Sequence, residues 1–472
     1  MVVLRTGYFN RLQRLLNMSE TASTAPIPTT WNIFQLAWPL TLKAMMLHGI
    51  VVTDSLLIAA LGEESLAAMG LAAAIGTLLL GILLAFSNAT QIRVAVAFGA
   101  NHPVDLKSGF YCGLAINLCV ALIGIVGVWL FAGGIVQSLA HTPDIAAQAQ
   151  RYLGVFMFVV LSEAVGQCLS GHFDGSGQTK VPFYSYLIAV PANVACSVVL
   201  IYGLFGLPQM GLTGAAVGSA VSSILRAGFL GAVFYRQNRW YRDVSGWRQG
   251  SFWIATKRHL LFALPIAATF GSSTVANSAA ALIYAKMSVN QFAAMTLMMP
   301  WVQIAGTLGI TWAQATGIIV AQLLGKAYSS AALDVFLRRA WRIAFVAAAL
   351  VSVTYLFVCL ASGWIYQGLQ DETKFALMSF LPVLLILPFP KGSNAICGNT
   401  LRAGGDTIYV MNIFVGGQWL VRIPLTAIMI LYFDLSVTWV FTLLLVEELV
   451  KFPAFHMRLF KGKWKTGQAG GA

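Results

Sequence analysis

Apolar stretches of about 20 residues, the length a helix needs to cross the hydrocarbon core of a membrane, recur along almost the whole of this chain. Twelve can be read, at about 34–60, 67–97, 109–131, 152–170, 181–205, 211–235, 259–285, 291–324, 341–366, 375–398, 408–432 and 435–457. Transmembrane strands would be only about ten residues long and would alternate strictly, and these runs do neither. In lipid each backbone N–H and C=O must be satisfied within its own segment, so the pattern dictates an all-α polytopic membrane protein. The composition agrees: 58% of the 472 residues are hydrophobic and 10% are charged, far from the usage of a soluble domain.

The net charge of +13 is an orientation signal rather than a sign of nucleic-acid binding. With the N-terminus inside, the loops and tails assigned to the cytoplasm hold twenty Lys and Arg, and the opposite loops hold Arg151, Lys286 and Lys374. The positive-inside rule then places both termini in the cytoplasm, as an even number of spans requires. Residues 1–30 read as a cytoplasmic tail with a short amphipathic turn around RLQRLL, not as a cleavable signal. Residues 459–472 read as a second cytoplasmic tail. The six cysteines fall in or beside apolar runs without metal-ligand spacing, so they read as small packing residues.

The chain repeats itself. At a shift of 226, Pro39 falls on Pro265, Ala67, Ala68 and Met69 on Ala293, Ala294 and Met295, Ala89 and Thr90 on Ala315 and Thr316, and Gly99 on Gly325. Near the same shift, at 228, the turn GHFDGSGQTKVP from Gly171 matches GNTLRAGGDTIY from Gly398, pairing Gly177 with Gly405 and Thr179 with Thr407. Each repeat holds six spans, an even number, so the two are parallel and related by an axis along the membrane normal. The expected organisation is an N-lobe over 31–235, a basic cytoplasmic linker over 236–258 and a C-lobe over 259–458. A substrate path would run between the lobes. The glycines suit tight turns that need positive φ. GSGQTK lacks the spacing and the GK[ST] ending of a phosphate-binding loop, so the energy for any pumping must come from an ion gradient.

Several stretches in fixed order resemble the multidrug and toxic compound extrusion (MATE) family. They are LAWPL with Asp54 beyond it, the turns GSGQTKVP and LRAGGDT, PANVACSVVLIYG, MGLTGAAVGSAVSS and WLVRIPL, and the similarity spans residues 31 to about 460. The resemblance implies an antiporter that exchanges a cytoplasmic organic solute for Na⁺ or H⁺ by alternating access. It also implies cation coupling at Asp54 in the first helix, with Asn193 in the fifth and Ser219 in the sixth, where a threonine is usual. Ser197 stands where some members have an aspartate. The missing formal charge tilts the expectation from Na⁺ toward H⁺, with no metal expected beyond Na⁺ at Asp54 and no other cofactor.

Charges at membrane depth cost roughly 3 kcal/mol each and need a reason. Asp54 is either the coupling carboxylate or an interfacial group that reaches water. Glu163 and Lys391 are related by the 228-residue shift, which predicts that they face each other as oppositely charged walls of a central cavity. Lys43 offers Glu163 a second partner within the N-lobe. The resemblance further implies that the second lobe has lost acidic groups, with Lys391 and Gly271 at positions where some members carry carboxylates. Glu447 and Lys451 are spaced to pair along the last helix, Arg422 reads as a packing cation, and Arg226 as a residue snorkelling to the cytoplasm.

Trp301, Gln303, Trp312 and Gln314 on the eighth helix, with Asn88 and Gln91 on the second, would supply an aromatic and amide lining for flat amphipathic molecules. Helix packing explains the same aromatics. A different reading is a flippase for a lipid-linked or anionic metabolite, its headgroup held by Lys43 and Lys391. No triad, carboxylate pair or metal cluster indicates an enzyme. The expected partners are a small-molecule substrate and membrane lipid, for a monomer in a bacterial inner membrane.

Overall fold

A computed structural model describes residues 26–238, 251–284, 286–365 and 370–466. Twelve long helices follow in order, six to each lobe. The N-lobe comprises α1 (Thr30–Ala59), α2 (Glu63–Gly99), α3 (Pro103–Leu139), α4 (Pro143–Gly175), α5 (Lys180–Tyr202) and α6 (Leu212–Gln237). The C-lobe comprises α7 (Ser251–Tyr284), α8 (Val289–Gly325), α9 (Ser330–Leu360), α10, α11 (Thr407–Tyr432) and α12 (Val437–Phe460). Helix α10 is two pieces, Asp371–Ile386 and Pro388–Ala403, bent by 42° where Pro388 removes a backbone donor. Eleven of these spans are long and apolar enough to cross a membrane. Helix α12 departs from that pattern because Glu447, Glu448 and Lys451 lie in its middle, where Lys451 pairs with both carboxylates and Arg422 of α11 adds a second cation.

The repeat read from the sequence recurs in the backbone. Gly177 and Gly405 take φ of +80° and +92° and close the same turn after α4 and α10. In the first turn Gln178 N–H donates to Phe173 O and in the second Asp406 N–H donates to Leu401 O, at 2.8 and 2.9 Å. This is the Schellman-like stop that a left-handed glycine permits. Asn101 and Ala327, at the 226 shift, share a positive φ of 50° and 53°.

The lobes meet reciprocally: α1 packs on α8 as α7 packs on α2, and α2 packs on α8. At the end that carries the basic loops, a methyl group on Gly99 would lie 2.1 Å from the Gln322 carbonyl oxygen, and one on Gly325 would lie 2.1 Å from the Val96 carbonyl oxygen. Gln322 is Val96 moved by the same 226 residues, so the contact is its own image across the pseudo-twofold axis. One apolar core joins both lobes at this end, through Ile33, Leu40 and Ala95 with Leu323, Ile396 and Leu401. Toward the other end each lobe has its own core, around Met69, Tyr152 and Leu212 in one and Met298, Phe380 and Phe441 in the other. The lobes are thus clamped at the cytoplasmic end and separate outward.

Two expectations change. The described part of the C-terminal tail is docked on the C-lobe: Trp464 is 2% exposed, against Gly404, and Lys465 pairs with Asp334 at 2.6 Å. Residues 239–250 of the expected linker lie outside the described residues, and the rest of it extends α6 and α7. The RLQRLL turn also lies outside them.

Candidate ion and substrate sites

Asp54 does not reach water as an interfacial carboxylate would. It sits late in α1 at 6% exposure, facing α5 and α6. Ser219 Oγ donates to Asp54 Oδ2 at 3.3 Å, and Asn193 Nδ2 donates to Ser219 Oγ at 3.1 Å. Asn193 and Ser197 are wholly buried. The structure therefore links Asp54, Ser219 and Asn193, and Ser197 lies one turn beyond Asn193 on α5 against Gly218. Glycine makes this possible: a methyl at Gly218 would lie 2.3 Å from Ser197 Oγ, and one at Gly214 would meet the α5 backbone at Leu200. Gly218 is a contributor that sequence reasoning missed, since small residues are common throughout α6 and none announces a contact.

Asn193 and Ser219 donate in one chain that ends on the carboxylate, and three oxygens are left over. Asp54 Oδ1, Asn193 Oδ1 and Ser197 Oγ are buried with no hydrogen-bond partner. Buried polar atoms are nearly always satisfied, so orphan oxygens on a buried carboxylate and its neighbours leave the cluster short of a donor. A proton on Asp54 would supply one, and a small cation among these oxygens would serve instead. His48, six residues before Asp54, is exposed on α1 and does not belong to the cluster.

The expected pairing of Glu163 is corrected. Its carboxylate is held by Arg226 of α6, by Gln167 Nε2 at 2.8 Å, and by neither Lys391 nor Lys43. Arg226 is 2% exposed and lies over the Tyr186 ring at 4.7 Å, so it does not snorkel. The pair stays within the N-lobe because α4 and α6 are packed neighbours, and a charge buried there takes its nearest opposite. Removing one member should cost about 3–5 kcal/mol by stranding the other. Glu163→Ala is therefore expected to lower the melting temperature in detergent, whereas Glu163→Leu combined with Arg226→Leu should recover much of the loss. Equal melting of wild type and Glu163→Ala would refute this.

Lys43 pairs instead with Asp174, at 2.6 Å. Lys391 lies inside the C-lobe, lining a small cavity between α8, α9 and α10. Arg422 joins the charged group on α12, 3.5 Å from Glu447 and 2.9 Å from Asn277, and Asn394 donates to Glu448 at 2.8 Å. The symmetry argument for Glu163 and Lys391 did not locate the faces. Equivalent residues turn toward each other only if that face of the helix borders the axis.

Between the lobes is a cavity of about 290 Å³ lined by both, including Lys43, Gln91, Asp174, Gln314, Asn399 and Arg402. Gln314 Nε2 donates to Gln91 Oε1 across it at 3.0 Å, so this part of the expected lining is present. Three members of that lining face elsewhere. Trp312 is buried and donates to Ala340 O of α9 at 3.0 Å, Trp301 packs on the C-lobe core, and Gln303 is exposed away from this cavity. Two residues along a helix are rotated by about 200°, which puts Trp312 on the side opposite Gln314.

The comparisons with known proteins cover both repeats. The MatE family model matches residues 39–199 and 265–428. Among curated relatives, a probable multidrug resistance protein NorM of Bradyrhizobium diazoefficiens is 26% identical over 403 residues, 83% of this chain and 84% of that one. A multidrug resistance protein NorM of Burkholderia vietnamiensis is 24% identical over 83% of this chain and 85% of its own length. The solved structure of a eukaryotic MATE transporter superimposes with a TM-score of 0.79 at 16% identity, covering 93% of this chain and 97% of that one, a likeness of fold. The matched segments each contain one copy of the repeat, and on that evidence this integral membrane chain belongs to the multidrug and toxic compound extrusion (MATE) family.

Proposed function

We propose that the protein is a cation-coupled antiporter of a bacterial inner membrane, exporting small organic amphipathic molecules by alternating access between its lobes. The observation that carries this reading is the set of buried oxygens at Asp54, Asn193 and Ser197 without hydrogen-bond partners. A site that binds a cation in one conformation and releases it in another biases the lobe equilibrium by its difference in affinity. Asp54 would be the group that takes the ion, Asn193 and Ser197 would complete its surroundings, and Ser219 would orient the carboxylate. Coupling by H⁺ is favoured over Na⁺, because one formal charge and few oxygens suit a proton on the carboxylate better than a desolvated Na⁺. The interlobe cavity with Gln91 and Gln314 would hold the solute, and the NorM names of the relatives support multidrug substrates. The protein would act as a monomer with no cofactor beyond the coupling ion.

The flippase reading has less support. It rests on Lys43 and Lys391 as headgroup ligands, and the first is neutralised by Asp174 while the second sits within the C-lobe. The test is reconstitution in vesicles with pH and Na⁺ gradients imposed separately, scored by uptake of a panel of dyes. Accumulation driven by the pH gradient and not by Na⁺ is the expected result. Transport that ignores both gradients would reject coupled antiport.

A further inference from the structure

Two residues on the cavity wall occupy the same place in the repeat and carry opposite charges. Asp174 of α4 and Arg402 of α10 are 228 residues apart, like the turn glycines that follow them. The N-lobe answers its charge, with Lys43 2.6 Å from Asp174. The C-lobe does not. At the 226-residue shift the counterpart of Lys43 is Thr269, whose hydroxyl is spent on Pro265 O at 2.9 Å.

Arg402 thus differs from the paired cations of the interior. Lys43, Arg226, Arg422 and Lys451 each have a carboxylate within 4 Å. For Arg402 no carboxylate or hydrogen-bond acceptor stands in that position among the described residues. The buried Nε has no partner, and the guanidinium lies 5.6 Å from the centroid of the Phe414 ring. Asp406, the acid nearest in sequence, is held by Arg458 through two contacts at 2.7 and 3.0 Å. Since Lys43 and Asp174 cancel, the cavity keeps one positive charge, in reach of amides that can orient a polar solute.

A guanidinium taken from water without a counter-ion is costly, and its planar fork of donors matches carboxylate, sulfonate and phosphate oxygens. We propose that the central cavity binds the anionic group of an organic solute on Arg402, so that the substrates include small amphipathic organic anions. Apolar walls from Ile310, Phe270 and Tyr186 would take the rest of the molecule. The substrate role rests on the transport reading above, but binding itself does not.

The experiment is calorimetric titration of the full chain in phosphatidylcholine nanodiscs, with no gradient imposed. The probes share one ring system and differ in charge: 2-naphthoate and a naphthyl trimethylammonium. Wild type is expected to bind naphthoate the more tightly, and Arg402→Gln to weaken it at least about tenfold, the value of one lost charged hydrogen bond. The ammonium probe should bind Arg402→Gln as well as wild type or better. Thr269→Glu, which supplies the missing carboxylate from α7, should weaken naphthoate in the same way and decides the question if Arg402→Gln does not fold. Unchanged naphthoate affinity in the folded variants, or equal losses for both probes, overturns the proposal. Repeating the titration with a third of the lipid as phosphatidylglycerol separates the sources of the anion. Unchanged affinity supports a soluble solute, and competition by the headgroup overturns that assignment. Because no gradient is present, failure to bind the anion and failure to couple transport are read independently.

Discussion

Asp54→Asn is expected to abolish gradient-driven export while leaving the protein folded and able to exchange substrate for substrate. Asparagine keeps the shape and an oxygen to accept from Ser219, so the hydrogen bond at 3.3 Å and the packing of α1 on α5 survive. What it lacks is the charge. Without it, Asn193 Oδ1 and Ser197 Oγ face a neutral amide, and neither a proton nor Na⁺ gains enough by entering the buried cluster. An ion with the same affinity for both conformations moves no equilibrium, so accumulation against a gradient should fall to the level of empty vesicles. Vesicle uptake with an imposed gradient, beside counterflow in its absence, separates the two outcomes. Energised accumulation at the wild-type level by this variant would remove Asp54 from the mechanism.

The second large effect belongs to the glycine crossing of α2 and α8. Gly99→Ala places a methyl 2.1 Å from the Gln322 carbonyl oxygen, and Gly325→Ala does the same against Val96. Neither neighbour can yield by rotating a side chain, since both are backbone atoms in the last turns of packed helices. The helices must separate at the cytoplasmic end by about 1 Å or more, at a cost of roughly 1–3 kcal/mol typical of overpacking. Only the conformation clamped at that end bears the cost. The population should shift toward an inward-open arrangement by about 5- to 150-fold. Spin labels at His102 and Ser329 in a cysteine-free background would report it as a longer distance between the two cytoplasmic loops. Because the contacts are images of each other, the two variants should have similar effects. An unchanged distance distribution in both would show that the crossing does not control closure.

Most of the architecture was legible in the sequence for reasons that lipid imposes. A span must be apolar over a fixed length, so the helices could be counted, and α12 was included even though its three central charges break the pattern. Loop arginines and lysines gave the orientation. Turn glycines repeat because a left-handed backbone tolerates few other residues, and Gly177 and Gly405 adopt that geometry as expected. The cluster at Asp54 was legible too, but only through resemblance to a family. Nothing in the spacing of Asp54, Asn193 and Ser219 along the chain says that three different helices will bring them into one hydrogen-bonded chain.

Pairings were the part that could not be read. Glu163 had three basic residues available at comparable depth, and its choice of Arg226 follows from which helices are neighbours and which faces they turn inward. Lys43 went to Asp174 for the same reason, and Trp312 turned away from the cavity while Gln314 turned in. The sequence by itself determined the spans, their orientation and the duplication, because these depend on local hydrophobicity, charge and backbone conformation. Tertiary structure alone decided which buried charges neutralise each other and that Arg402 is left over. Helix rotation about its own axis leaves no trace in a chain that is apolar on nearly every side.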